Sequence, residues 1–263
     1  MLNNQQIAAY QTNGYIKGER VLDDAAVEEL RDELDRVIRD RDKPGLQPVL
    51  LRNLSKPGSG TTLWQIVDIW MASQAFRRLI SHPQITEAAG KLGGAGELRL
   101  WHDQIQYKIA ETGGVNMWHQ DWPYWPILDA PHQITAWVAL DDVDVDNGCM
   151  SMVPGSHLWG RNDVFLRSLP NYDAMPQEFQ GHKVERVYCP VAKGEVHFHH
   201  ALTWHGSHAN KSGRPRRAIA LHFMTEQTRY VSAGEHPMKA HVTVGDGEPL
   251  QGNAFPLVWS SSA

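Results

Sequence analysis

The spacing of hydrophobic positions changes once along the chain, near residue 97. Before it, apolar residues recur every three or four places. Ile7, Ala8 and Tyr10 predict a helix over 5–12, ending at Asn13-Gly14, a pair suited to a left-handed C-cap. Val27, Leu30, Leu34 and Val37 form an apolar stripe that predicts a second helix over about 25–40, capped by Asp23 or Asp24. The charges on its other face, such as Glu28, Arg31 and Asp35, suit solvent better than a partner. Residues 41–62 read as loop. Residues 63–92 read as shorter helical patterns closing at Gly90 and Gly93-Gly94. From Glu97 the period becomes two. In an unbulged strand, Leu98, Leu100, His102, Gln104, Gln106 and Lys108 share one face, with Trp101, Asp103 and Ile105 on the other. Further strands are expected over 133–140, 149–153, 184–189, 195–200 and 216–224. Helices first and short strands after predict a mainly β, largely antiparallel barrel or sandwich with helices packed outside. No repeat or linker interrupts the pattern, so a single domain over 1–263 is expected.

Composition narrows the function. At 41 % hydrophobic and 21 % charged residues the chain can build a sizeable core. A net charge of −5 argues against a nucleic-acid partner. The N-terminal residues lack the basic-then-apolar pattern of a signal peptide, and no run of about 18 apolar residues exists, so no membrane partner is expected. Cys149 and Cys189 are too few for a disulfide scaffold and fit a reducing, cytoplasmic compartment. The 14 His and 10 Trp change the picture, because both cluster.

The central cluster is Trp118-His119-Gln120-Asp121-Trp122. On an extended segment, a His and a carboxylate two apart point to one side and can share a metal ion. A second His from elsewhere would complete a 2-His-1-carboxylate set with open positions, the arrangement of non-haem Fe(II) oxygenases. A His-x-Asp pair also arises by chance in a chain this rich in histidine, so the reading rests on residues further along the chain. His197, His199, His200, His205 and His208 are the distal candidates. Arg216 opens an alternating strand in which Ala218 and Ala220 share its face, leaving room for an anionic ligand on an inward guanidinium. Taken alone, Arg216 also reads as a surface charge in the basic stretch with Lys211, Arg214 and Arg217.

These pieces together resemble the phytanoyl-CoA dioxygenase family: Trp118-His119-Gln120-Asp121, Trp137 in ITAWVALDD, Asn147-Gly148-Cys149-Met150 running to Pro154-Gly155-Ser156-His157, and His205-Gly206-Ser207 with Asn210 and Arg216. The match in order and spacing runs from about residue 5 to 225. The resemblance implies a double-stranded β-helix, a cupin-like jelly roll with N-terminal helices on the larger sheet. It implies a non-haem Fe(II)- and 2-oxoglutarate-dependent dioxygenase that consumes O2 and releases succinate and CO2. It further implies that His119, Asp121 and His205 bind Fe(II), and that Arg216 pairs with the far carboxylate of 2-oxoglutarate. Trp137, Ser207 and Gln104 would line the cosubstrate pocket, and Lys108 and Thr135 fall where a looser match places further lining residues. Related halogenases replace the carboxylate with a small residue, so an intact Asp121 implies hydroxylation, desaturation or ring chemistry.

Other readings use the same residues. A jelly-roll binding protein without turnover would release no succinate. A metal-dependent hydrolase or isomerase would need no O2. His197-Phe198-His199 looks like the start of a cupin metal motif, but Ala201, Leu202 and Thr203 stand where that motif wants a Glu. Structural zinc is disfavoured by the absence of Cys-x-x-Cys spacing. Asp142, Asp144, Asp146, Asn147 and Gly148 read as an acidic turn and not a calcium loop, with Gly at loop position seven and Val153 at twelve. Trp118, Trp122, Tyr124 and Trp125 read equally as substrate-pocket wall and as packing, whereas Trp101 and Trp204 read as core. No basic patch outside 211–217 suits a coenzyme A phosphate, so a small organic metabolite is expected over an acyl thioester. The sequence does not specify an oligomeric state.

Overall fold

The computed structural model describes residues 2–55, 58 and 60–262. The N-terminal part comprises α1 (Asn4–Asn13), β1 (Tyr15–Arg20), α2 (Asp24–Arg39), β2 (Leu50–Asn53), β3 (Leu63–Val67), α3 (Gln74–Leu79) and α4 (Pro83–Gly93). Then come β4 (Glu97–Lys108), β5 (Asn116–His119), β6 (Gln133–Ala139), β7 (Met150–Met152), α5 (Asp163–Ser168), β8 (Glu178–Phe179) and β9 (His182–Lys183). The chain closes with β10 (Val187–Cys189), β11 (Glu195–His200), β12 (His205–Ser207), β13 (Arg216–Thr225) and β14 (Leu257–Ser260). An eight-stranded sheet runs β1-β11-β6-β13-β4-β3-β2, with β14 also on β4. A four-stranded sheet runs β10-β7-β12-β5. Every pairing is antiparallel. Two such sheets with helices on the larger one form the expected jelly roll.

The helices form for the reasons their sequences give. Asn3 and Gln6 cap α1 reciprocally, and Gly14 ends it at φ 79°, where an added Cβ would collide with His157 and Thr203. Asp23 caps α2 by accepting from the Ala26 amide, and the stripe Val27, Leu30, Leu34 and Val37 is buried. That stripe packs with Ile219, Leu221 and Phe223 of β13 and Val196 and Phe198 of β11. The alternate residues of the large sheet face the small one. Trp137, Ala218 and Ala220 pack with Met150 and Met152 of β7. One sheet therefore has a helix-covered apolar face and a second face that shapes a cavity.

Several elements differ from the sequence reading. Residues 50–53, read as loop, and 63–67, read as helical, are strands paired with each other, and 63–67 adds to β4. Their pairing, not their local pattern, fixes them, and the helices of that region are confined to α3 and α4. Of the strand expected over 184–189, only β10 is present, and β1, β5, β8, β9, β12 and β14 come in addition to the expected strands. The long strand β4 is bulged. His102 pairs with His222 and Leu100 with Phe223, so Trp101 has no partner on β13. The bulge flips the alternation: Leu98 and Leu100 join the helix-side core, while His102 and Gln104 line the cleft on the other side.

Candidate metal and cosubstrate site

His119 ends β5 and His205 opens β12, and the two are direct register partners. Antiparallel pairing thus brings together residues 86 positions apart, with ring centroids 4.1 Å from each other. Trp118 points the opposite way, stacks on Tyr172 and donates its indole N–H to the Tyr172 carbonyl. Asp121 does not sit on an extended strand as the spacing suggested. It lies at the start of a short 3-10 turn and is drawn in when its amide donates to the Ala201 carbonyl. Gln120, between the two, is buried and pinned: its amide donates to the Gly160 and Leu202 carbonyls, and its oxygen accepts from the Asn162 amide. One donor atom from each of His119, Asp121 and His205 lies within 4.8 Å of the other two.

The hydrogen bonds around this trio set which atoms are available. His119 Nδ1 lies 2.7 Å from the Met117 carbonyl, and His205 Nδ1 lies 2.9 Å from the Thr203 carbonyl. A carbonyl only accepts, so each Nδ1 carries the proton and each Nε2 keeps its lone pair. Those Nε2 atoms sit 3.7 and 3.5 Å from Asp121 Oδ1. The other oxygen, Oδ2, accepts from Thr135 Oγ1 and from His199 Nε2, each at 3.2 Å. Burial holds His119 down to about 4 and lowers His205 as well, which keeps both imidazoles neutral. Burial opposes ionisation of Asp121, but His205, His199 and His222 outweigh it and hold the carboxyl well below its usual range. Two neutral imidazoles and one carboxylate are the donor set that suits a divalent first-row metal.

A second unsatisfied group lies nearby. Arg216 is fully buried at the start of β13, with its guanidinium over the Trp137 ring at 4.9 Å. Its Nη1 makes one long bond to the Gln106 carbonyl, and its Nε and Nη2 have no partner. Burial lowers it to about 10, so it remains charged at neutral pH. A buried guanidinium with Nε and Nη2 unpartnered is suited to an anionic ligand. Trp137, Ser207 and Gln104 line a cavity together with His119, Asp121 and His205. The cavity thus offers a metal-binding set, while a cation that would fit the far end of a dicarboxylate packs on its Trp137 wall.

Residues 10–218 match the family model for phytanoyl-CoA dioxygenase (PhyH). The chain belongs to the phytanoyl-CoA dioxygenase family. It is thereby an Fe(II)/2-oxoglutarate-dependent dioxygenase by class. The peroxisomal phytanoyl-CoA dioxygenase of Bos taurus is 26 % identical over 249 residues, covering 88 % of this chain and 71 % of that protein. The non-haem α-ketoglutarate-dependent carbocyclase SnoK from nogalamycin biosynthesis superposes with a TM-score of 0.80 at 29 % identity, covering 98 % of this chain and 97 % of the other. The epimerase SnoN, solved with Fe3+, α-ketoglutarate and nogalamycin RO, gives 0.73 at 28 % identity, covering 97 % and 98 %.

In this phytanoyl-CoA dioxygenase family member the remaining candidates fall into place by position. Of the distal histidines, only His205 joins the trio, and His199 supports Asp121. His200 accepts from the Leu202 amide, and His208 packs on Tyr172. Asp144 and Asn147 hold an acidic turn through their own backbone amides, with Arg214 paired to Asp144. The aromatic run divides: Trp118 is packing, whereas Tyr124 and Trp125 line an outer cleft that opens onto His119 and Asp121. Trp101 and Trp204 are buried as expected. Lys108 is buried opposite Arg216 in register and donates to Ser207 Oγ at 2.7 Å and to the Ser207 and His208 carbonyls. His222 is a site residue that the sequence reading missed. Continuing the alternation Arg216, Ala218, Ala220 by one step finds it. Among the described residues no helix is long and apolar enough to cross a membrane.

Proposed function

We propose that His119, Asp121 and His205 hold Fe(II), that Arg216 with Trp137, Ser207 and Gln104 holds 2-oxoglutarate, and that the protein oxidises a C–H bond of a small, uncharged, ring-bearing metabolite. The observation that carries the cosubstrate assignment is the buried Arg216, whose Nε and Nη2 are unpartnered and whose guanidinium packs on Trp137, a wall of the cavity that holds the trio. Iron bound with 2-oxoglutarate and O2 supplies an oxidant strong enough for an unactivated C–H bond, with succinate and CO2 as coproducts.

The chain's own residues do the placing. The Met117 and Thr203 carbonyls fix the ring tautomers that leave both Nε2 lone pairs facing Asp121. Thr135 and His199 occupy Oδ2, which leaves Oδ1 toward the two rings. Arg216 neutralises the far carboxylate of the cosubstrate, and Lys108 orients the Ser207 hydroxyl beside it. Trp125 and Tyr124 wall the cleft through which the substrate approaches, so position decides which bond reacts. Among the described residues the cleft carries Arg52 and Glu235 but no cluster of cations suited to a polyphosphate, which favours a metabolite over an acyl thioester. The neighbours named as carbocyclase and epimerase favour ring closure or inversion as outcomes alongside hydroxylation.

The test is succinate formation from 2-oxoglutarate with Fe(II) and O2. Asp121→Ala abolishes it. Arg216→Leu raises the 2-oxoglutarate concentration needed by about tenfold or more, the scale of a lost charge-assisted pair. Succinate formation indifferent to both changes would overturn the assignment.

A further inference from the structure

The outer cleft has a second polar cluster that neither the metal nor the cosubstrate uses. His102 from β4, His222 from β13 and His236 from the segment after β13 all line it. The His102 ring is centred 4.7 Å from His222 and 5.8 Å from His236. Trp125 closes the group, its ring 5.6 Å from His102 and 4.8 Å from His222.

Each ring has one nitrogen committed to the protein. His102 Nδ1 lies 3.2 Å from the Asp103 carbonyl, so it donates and leaves Nε2 an acceptor. His222 Nδ1 lies 2.8 Å from Thr135 Oγ1. That hydroxyl gives its proton to Asp121 Oδ2, so His222 Nδ1 must donate, and its Nε2 is also an acceptor. His236 is reversed: its Nδ1 accepts from the Met238 amide at 3.2 Å. Burial holds His236 down to about 4, so the neutral ring carries its proton on Nε2. The cleft therefore presents two lone pairs and one N–H, and no protein group among the described residues bonds to any of the three Nε2 atoms.

We propose that His102, His222 and His236 form a subsite for a substrate hydroxyl, of an alcohol or a phenol, beside the metal site. The subsite rests on the oxygenase assignment made under Proposed function and names the chemistry of its substrate. A hydroxyl is the small group that donates to one lone pair and accepts from one N–H. A carboxylate would face two lone pairs, and an ammonium would face the His236 N–H. Trp125 offers a ring face or edge to the carbon skeleton carrying the hydroxyl. The hydrogen-bond chain from His222 through Thr135 ends on Asp121, so the group held here sits next to the metal-binding carboxylate. His236 lies beyond residues 10–218, so it belongs to the part of this chain outside the family match.

The test compares two ligands of nearly one shape, 2-naphthol and 2-methylnaphthalene, binding to the enzyme loaded with Fe(II) and 2-oxoglutarate without O2. Binding is read by calorimetry. The wild-type protein prefers the naphthol by about tenfold, the scale of one or two neutral hydrogen bonds. His236→Phe reduces that preference to about threefold or less. His236→Asn does the same while its short amide still caps the Met238 amide, which separates the subsite from a folding effect. Equal binding of the two ligands by the wild type, or a preference unchanged in both variants, overturns the proposal. Succinate formation by the same wild-type preparation reports separately on the oxygenase assignment.

Discussion

Asp121 divides its work between two oxygens, and the division is testable one residue away. Oδ1 faces both imidazole Nε2 atoms, while Thr135 and His199 hold Oδ2. Thr135→Val keeps the shape of the side chain, removes one donor from Oδ2 and leaves His222 Nδ1 without its acceptor. Supports of this kind are worth about 10–100-fold in metal affinity. The expected outcome is a loss in that range by Fe(II) titration, with the protein still folded. Unchanged affinity would mean that Oδ2 needs no support. Lys108 makes a parallel case. Its Nζ donates to two carbonyls and a hydroxyl on the segment that carries His205. Lys108→Met leaves those acceptors buried and unpaired, a cost of about 1–3 kcal/mol in denaturant unfolding.

At the scale of elements, the site depends on a three-residue strand held between two others. β12 pairs with β5 on one side and β7 on the other. Gly206 at its centre runs so close to β5 that an added Cβ would stand 3.0 Å from the Asn116 carbonyl oxygen. Gly206→Ala therefore pushes β12 away from β5 and separates His205 from His119, with a drop in iron affinity larger than the drop in thermal stability. The elements also explain what could be read from the sequence. Helix α2 was legible because its stripe and cap are local, and the candidate metal trio was legible because the His-x-Asp and the distal His carry recognisable neighbours. β2 and β3 were not, since only the pairing of β2 with β3 and of β3 with β4 makes them strands. The bulge at Trp101 is likewise set by the register with β13. It decides that His102 faces the cleft, and nothing in the local pattern announces it. His236 lies in a loop segment with no period to extrapolate.

The whole molecule carries an unusual load of neutral buried histidine. Burial holds His119, His200, His222 and His236 to about 4 each, against an ordinary value of 6.5. Between those values the unfolded chain binds protons that the folded chain refuses, so stability rises as pH increases from about 4 to 6.5. One buried pair opposes this. Asp103 is pushed up to about 7 by burial, and its neighbour Asp68 is raised too by burial and by Asp103. Their contribution falls as pH climbs through the same window, because the folded state holds a proton there that the unfolded state has released. Four imidazoles outnumber two carboxyls, so the metal-free protein gains melting temperature from pH 4.5 to 6.5. A flat or falling melting temperature over that interval would contradict the burial of those rings.

One metal held by three side chains, with an anion on Arg216, would be seen outright in a crystal structure of the protein grown anaerobically with Fe(II) and 2-oxoglutarate. The expected result is one ion bonded to His119 Nε2, Asp121 Oδ1 and His205 Nε2, and the far carboxylate of 2-oxoglutarate on Arg216 Nε and Nη2. An ion bound elsewhere, or a cosubstrate that leaves Arg216 without a partner, would contradict it.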